Sequence, residues 1–501
     1  MSSNPLLRFR RSAAQLHALA EVERTIRATD TTGRRQYLRD FSHAFRDYRR
    51  VLRPYAVDVQ LSNADIILVG DYHALPASQQ YTASLVEKLA AAGRPVILGV
   101  EAVVARDQHI LDEWQTDEID ADELRSRIRF ESDWGYDWQP FRELLVRARA
   151  AGAQVYGLDC LPRQDMRSIR ARDRHAAAKI AELRRANPGA VLVVLFGESH
   201  LAPTHLPQLV RNLCEFDRVL TVLQNIDSLY WLSAGEPEDL VEAVEISDDV
   251  LCVFSATPLE KYEHYRLCID RWKQQRAGRV DLAPSFYNLI ASLFQFLNVN
   301  LYLARGGRTR SFLVDELPEV WCAANEEQLE RLLARRMSSQ AVAVCSAVAA
   351  QGSHFVPERN VIVASEFRMP WAAEQAARFV YHACRGPQPR VQGREDEFYI
   401  GVLDRALGFL GSKILCPSRT LFPESVVFES RLGHEAVCML GHALGSDLYS
   451  AYLRGDIGKR WLRSLFFKDL SKPGSARAVY ERAATKVSPQ MPRTRLAHAE
   501  W

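Results

Sequence analysis

Two histidines in this chain carry nearly the same local spelling. Residues 68–76 read L-V-G-D-Y-H-A-L-P and residues 195–203 read L-F-G-E-S-H-L-A-P. Each stretch has an apolar run, a glycine, an acid, one free position, a histidine and, three residues later, a proline. An imidazole titrates near neutral pH, so it can act as a general base, a proton donor or a metal ligand. The acid two residues before it can orient the ring. Glu101, closing P-V-I-L-G-V-E, adds a carboxylate between the copies. The residues whose types fit catalysis are therefore His73, Glu101, His200, Asp71 and Glu198. His73, Glu101 and His200 are also the trio expected to hold a divalent metal. Taken singly, such a tetrad is an ordinary loop, and an acid after a strand commonly caps the next helix. The repetition is what singles these residues out.

Such residues need elements to position them. The segments 64–69, 95–100, 154–158, 190–196 and 218–223 are apolar runs that read as strands, and 250–254 reads as a sixth. Helical patterns separate them, and the long one over 105–151 reads as an inserted helical subdomain. Continuous apolar strands alternating with helices predict a parallel sheet covered on both faces. On such a sheet, ligands bind beyond the carboxyl ends of the strands. Polar residues come after each of the first five runs: Asp71, Tyr72 and His73; Glu101; Asp159; Glu198 and His200; then Gln224, Asn225 and Asp227. They are expected to converge on one crevice, with His73, Glu101 and His200 within about 10 Å of each other. As side chains facing a crevice, His73 and His200 are expected to contribute less than about 1 kcal/mol each to stability. The glycines are expected to turn the chain off each strand, and the prolines to open the next helices.

The fold class expected is α/β: a parallel sheet flanked by helices with a helical insert, followed by a mostly α-helical C-terminal domain. The expected boundaries are 1–58 for an N-terminal helical segment, 59–275 for the α/β domain, 276–487 for the helical domain and 488–501 for a tail. In the helical domain, 432–445 reads L-G-H-E-A-V-C-M-L-G-H-A-L-G. His442 falls eight residues after His434, so His434 and Glu435 do not open an H-E-x-x-H zinc motif. Gly401, Gly408, Gly411, Gly433, Gly441 and Gly445 read as points of close helix–helix contact. S-E-F-R-M-P-W-A-A-E, at 365–374, reads as an N-capped helix start behind an exposed loop.

The 501 residues include 64 basic and 62 acidic ones, for a net charge of +2, which gives no electrostatic reason to expect nucleic acid. MSSNPLLRFRRSAAQL lacks the apolar segment of a signal peptide. The most apolar stretch, 286–303, is broken by Asn288, Gln295, Asn298 and Asn300, so it reads as a buried helix and not as a membrane span. Nine cysteines without a C-x-x-C pair point to reduced thiols. The expectation is a cytoplasmic protein without membrane insertion, acting on a small molecule or peptide, with a homodimer left open.

The succession of strand, G-[DE]-x-H, strand ending in Glu, aromatic-rich helical insert, G-L-D, strand and G-E-x-H resembles the ChaN-like family. That family belongs to the superfamily of haem-binding uptake lipoproteins, Tiki/TraB-type proteins and erythromycin-esterase-like hydrolases. The resemblance covers about residues 60–272. It implies an α/β core with a helical insert and a site built from His73, Glu101 and His200. Further matches are Trp134, Tyr136 and Trp138, in D-W-G-Y-D-W-Q-P-F, and Arg172 with Asp173, where relatives often carry an Arg-acid pair. The first motif departs from the pattern, with Asp71 where relatives commonly have Glu. The resemblance and the residues together support two functions. One is a hydrolase-type enzyme for an ester, amide or related bond, on a peptide or natural product, with or without a divalent metal. The other is a haem- or iron-binding protein without catalysis, with Tyr72, Tyr136, Asp159 and Arg172 as cofactor-binding candidates beside the histidines.

Overall fold

The computed structural model describes residues 12–30, 36–163, 169–233, 241–273, 280–299, 317–323, 326–336, 341–386, 393–417, 419 and 432–487. The chain divides into two compact units, Val22–Gln275 and, together, Met1–Glu21 with Arg276–Trp501.

The first unit is built on eight strands: β1 (Arg50–Leu52), β2 (Ile66–Asp71), β3 (Val96–Val104), β4 (Gln154–Asp159), β5 (Val191–Gly197), β6 (Val219–Gln224), β7 (Ala243–Ser247) and β8 (Val250–Val253). They are ordered β1-β7-β8-β6-β2-β5-β3-β4. From β8 to β4 every neighbouring pair is parallel, whereas β7 runs antiparallel to both β8 and β1. All six strands read from the sequence are present. The two that periodicity did not reveal form the antiparallel edge. They are short, and Arg50 and Glu245 break their apolar character.

Every residue of β2, β5 and β6 is buried because helices cover both faces. Side chains alternate across the sheet. Ile66 and Leu68 join one core with Phe196, Ile180 and Val210. Ile67 and Val69 join the other, with Trp114, Phe130 and Phe141 of the insert. The insert lies between β3 and β4 as helices Gln108–Gln115, Ala121–Arg127, Phe130–Asp133 and Trp138–Ala150. Asp120 caps the second of these through Oδ1, which accepts from the Asp122 and Glu123 amides. Asp137 caps the fourth.

The two prolines of the repeated motif play different parts. Pro76 opens the helix Pro76–Ala91, as expected. After β5 the chain instead makes a 3-10 turn, Glu198–Leu201, and the helix begins at Leu206 with Pro207 in its first turn. Pro203 therefore opens no helix.

The C-terminal unit is mostly helical and carries a small sheet of β9 (Glu319–Cys322), β10 (Ser353–Val356) and β11 (Val361–Ala364). Its helices Met369–Arg385, Arg394–Leu415 and Leu432–Arg454 approach closely at glycines. A Cβ on Gly411 would stand 2.4 Å from Ala377 Cβ, and one on Gly441 would stand 2.4 Å from Arg405 Cβ. Met369–Arg385 has no side-chain cap hydrogen bond at Arg368. The side chains of His434 and Glu435, and the tail after residue 487, lie outside the described residues. Among the described residues, no helix is long and apolar enough to cross a membrane.

Candidate functional site

β2 and β5 are parallel neighbours, paired Asp71 to Gly197, and β3 lies on the other side of β5. The two motifs and Glu101 therefore leave the same end of the sheet side by side. The register of β3 against β4 is irregular between Val100 and Val104, so Glu101 sits at a break in regular pairing, where strands commonly re-aim a side chain. Neither Gly70 nor Gly197 has a positive φ. Gly197 matters for another reason: a Cβ there would stand 3.1 Å from Glu101 Oε2 and 3.2 Å from the His73 ring.

The three expected residues meet. His73 Nε2 is 3.8 Å from Glu101 Oε2, and His200 Nε2 is 3.7 Å from Glu101 Oε1. Each ring is held from behind. His73 Nδ1 donates to Asp71 Oδ2 at 2.7 Å, and Gln79 Nε2 donates to the other oxygen of Asp71 at 2.5 Å. His200 Nδ1 donates to Asp173 Oδ1 at 2.5 Å, while Tyr37 Oη donates to Asp173 Oδ2 at 2.5 Å. Both imidazoles thus turn Nε2 toward one glutamate with their tautomers set by buried carboxylates.

Glu101 is itself locked. The Arg172 guanidinium donates to Oε1 at 2.5 Å and the Gly197 amide donates to Oε2 at 2.5 Å. Arg172 also grips Asp159 with two bonds of 2.8 Å. Burial favours the protonated carboxyl, but His200, Arg172, His73 and the Gly197 amide outweigh it and hold Glu101 down to about 2. For His73, burial works against the charged ring, yet Asp71 and Glu101 raise its pKa above 6.5. Burial raises the Asp71 pKa. Arg172 and Asp173, on the helix Ile169–Ala186, are buried and belong to this centre.

The remaining candidates divide. Trp134 and Tyr136 lie against His73, with ring centroids 4.5 and 5.0 Å away, and Tyr136 packs in turn on Trp272. Trp138 is a core residue, buried against Phe130. Glu198 does not support His200, unlike Asp71 with His73. It faces Lys261, whose Nζ is 3.2 and 3.3 Å from its two oxygens. Lys261 Nζ also donates to the Asn225 carbonyl and sits 4.4 Å over the Tyr72 ring. Tyr72, Glu198 and Lys261 thus form a second polar group on the same end of the sheet. Burial raises the Glu198 pKa, and Lys261 opposes that rise. Gln224 and Asn225 serve the backbone: Gln224 Nε2 donates to the Gly70 carbonyl, and Asn225 Oδ1 accepts from the Ser255 and Ala256 amides.

Sequence reasoning missed Lys261, Tyr37, Gln79 and Arg163. Arg163 bonds Asp159 and the Glu101 carbonyl and stacks on Trp134. None of these residues is marked by spacing from a motif. Nor does spacing mark Asp173 as the support of His200. Among the described residues, no group of three or more His, Cys, Asp or Glu is arranged to hold a metal ion. In the expected metal trio, both Glu101 oxygens are already engaged by Arg172 and Gly197.

The fold and this centre define an α/β domain with a helical insert and paired imidazoles at the strand ends. Residues 59–189 match the family described as haem-binding uptake, Tiki superfamily, ChaN, so this segment is a ChaN-like domain, and no family covers the C-terminal part. Two solved structures are similar. One shows cofacial haem binding to ChaN of Campylobacter jejuni, at 14% identity over 42% of this chain and 94% of that one, with a TM-score of 0.29. The other is the type III effector HopBA1, at 17% identity over 42% and 96%, with a TM-score of 0.30. No curated protein matches the chain.

Proposed function

We propose that the chain is a hydrolase-type enzyme cleaving an ester, amide or related bond at the strand-end centre. The observation that supports this reading is the double relay, Asp71–His73 and Asp173–His200, closing on Glu101. A carboxylate on Nδ1 fixes the tautomer and stabilises the imidazolium formed when Nε2 takes a proton. His73, one-fifth exposed, is the base that reaches water and substrate. His200 is only 5% exposed at its side chain and acts from within, shaping charge around the reacting group. Glu101, held near pKa 2, stays ionised at neutral pH. It is a fixed anion that favours imidazolium and does not carry the second proton itself. Trp134 and Tyr136 cover His73 and limit the entry of water. No step requires a metal.

A second reading is haem binding, favoured by the aromatic rings against His73. With Nδ1 bonded to Asp71, Nε2 is the His73 atom that would face iron. His73 would hold the iron, Trp134 and Tyr136 would flank the macrocycle, and the iron would supply ligand-binding or redox chemistry. An absorption spectrum and elemental analysis of the protein purified without added cofactor, run beside an ester and amide hydrolysis panel, separate the two. Hydrolysis lost in both His73→Ala and His200→Ala, in folded protein without a Soret band, supports the enzyme. A stoichiometric Soret band abolished by His73→Ala, with no hydrolysis, replaces it with the haem reading.

A further inference from the structure

The C-terminal unit buries a second polar centre that no motif announced. Glu374 is fully buried on the helix Met369–Arg385. One of its oxygens is paired with the Arg419 guanidinium. The other accepts from His442 Nε2 at 3.3 Å and from Arg405 at 3.5 Å. One turn along the same helix, Arg378 Nε donates to Asp404 Oδ2 at 2.7 Å, and His382 Nε2 stands 3.1 Å from Asp404 Oδ1.

The charges of this centre do not balance among the described residues. Arg378, Arg405 and Arg419 are 5, 7 and 7% exposed, and the acids that face them are Glu374 at 0% and Asp404 at 8%. Three guanidiniums against two carboxylates leave one positive charge in excess, with the histidines counted as neutral. Buried charge without a counter-charge is costly, and native structures compensate it. The excess falls on Arg405. Arg419 has hydrogen bonds to the Pro370 carbonyl and Ser412 Oγ and lies between the Trp371 and Phe409 rings. Arg378 is bonded to Asp404, Gln375 Oε1 and the Phe355 carbonyl. Arg405, by contrast, has one long hydrogen bond among the described residues, that of 3.5 Å to Glu374.

Unpartnered polar atoms accompany the excess charge. Gln375 is 0% exposed, and its Nε2 has no partner among the described residues, although its Oε1 is fixed by the Phe355 amide and by Arg378. His354 Nδ1 is likewise buried without a partner among them. Burial and the nearby Arg378 and Arg405 hold the His354 pKa well below 6.5, which marks a positive field.

We propose that this centre binds a small oxyanion, a carboxylate or phosphate group, whose oxygens engage Arg405 and the free Gln375 amide. The planar guanidinium matches the paired oxygens of either group, whereas chloride offers no second acceptor. This site is separate from the strand-end centre and does not depend on its function.

The test is thermal unfolding of the full chain at fixed pH and ionic strength, titrated with inorganic phosphate, acetate or chloride. Phosphate or acetate raises the Tm saturably and chloride does not; which of the two acts at lower concentration identifies the group. In Arg405→Gln the apparent affinity falls by at least about tenfold, the scale for losing a charged hydrogen-bond partner. The Tm of that variant without oxyanion does not fall below that of the parent, because the unbalanced charge has gone. Arg405→Lys keeps the charge without the fork and also binds more weakly, so it serves if the glutamine variant does not fold. An equal response to chloride, no response to either oxyanion, or an undiminished response in both variants overturns the proposal.

Discussion

Replacing Glu101 by glutamine keeps the shape of the side chain and removes the charge on which both imidazoles converge. The folded protein holds this carboxyl at about 2 against an ordinary 4.5. At about 1.4 kcal/mol per pH unit, that gap corresponds to roughly 3 kcal/mol of stability. The direction sets the sign. A depressed carboxyl stabilises the folded state fully above 4.5, and the contribution is lost as pH falls toward 2. Arg172 keeps its two bonds to Asp159, and the Gly197 amide can donate to the new amide oxygen, so the fold persists. Urea unfolding monitored by tryptophan fluorescence should therefore show Glu101→Gln less stable by roughly 3 kcal/mol at pH 7 and pH 5. The gap should narrow steadily between pH 4.5 and the acid limit of the measurement. A gap below about 1 kcal/mol at pH 7, or one that does not change with pH, would refute the account of Glu101 as a locked anion. Glu101 is 3% exposed and engaged on both oxygens.

Other perturbations test neighbouring parts of the reasoning. The raised pKa of His73 stabilises the folded state below pH 6.5 and ceases to as pH rises through the folded value; His73→Gln should thus lose more stability at pH 5.5 than at pH 9, by the same urea assay. Lys261→Met strands a buried carboxylate and should cost about 3–5 kcal/mol, whereas the double variant with Glu198→Gln should recover much of that loss in a mutant cycle. Leu68→Ala, at a fully buried position of β2, should cost about 2–5 kcal/mol through the cavity it leaves. Gly411→Ala should lower the Tm of the C-terminal unit, since its methyl would meet Ala377 Cβ at 2.4 Å; an unchanged Tm would mean those helices separate freely.

The central strands were legible because continuous apolar runs such as I-I-L-V and V-L-V-V-L-F are the direct imprint of a sheet covered on both faces. The meeting of His73, Glu101 and His200 was legible for the same reason: parallel strands bring their carboxyl-end residues to one end of the sheet. The edge strands β1 and β7 were not, because three to five residues bearing Arg50 or Glu245 carry no periodic signal. The glycines of the C-terminal helices announced close packing, but not the charges buried along with them.

The letters alone leave open the part each acid plays. G-D-Y-H and G-E-S-H look equivalent, yet Asp71 supports its own histidine and Glu198 does not. Asp71 is the last residue of its strand, and the turn that follows, closed by the Leu75 amide on the Tyr72 carbonyl, brings the His73 ring back onto the Asp71 carboxylate. Glu198 starts a 3-10 turn, where residues two apart point about 120° away from each other. Glu198 is thereby turned to Lys261, and His200 is left to Asp173 and Tyr37. Sequence determined the sheet, the end at which the chemistry gathers and the histidines that gather there. The pairing of charges was decided by tertiary structure, because the partners come from distant helices and a side chain's direction depends on the local backbone, which spacing along the chain does not encode.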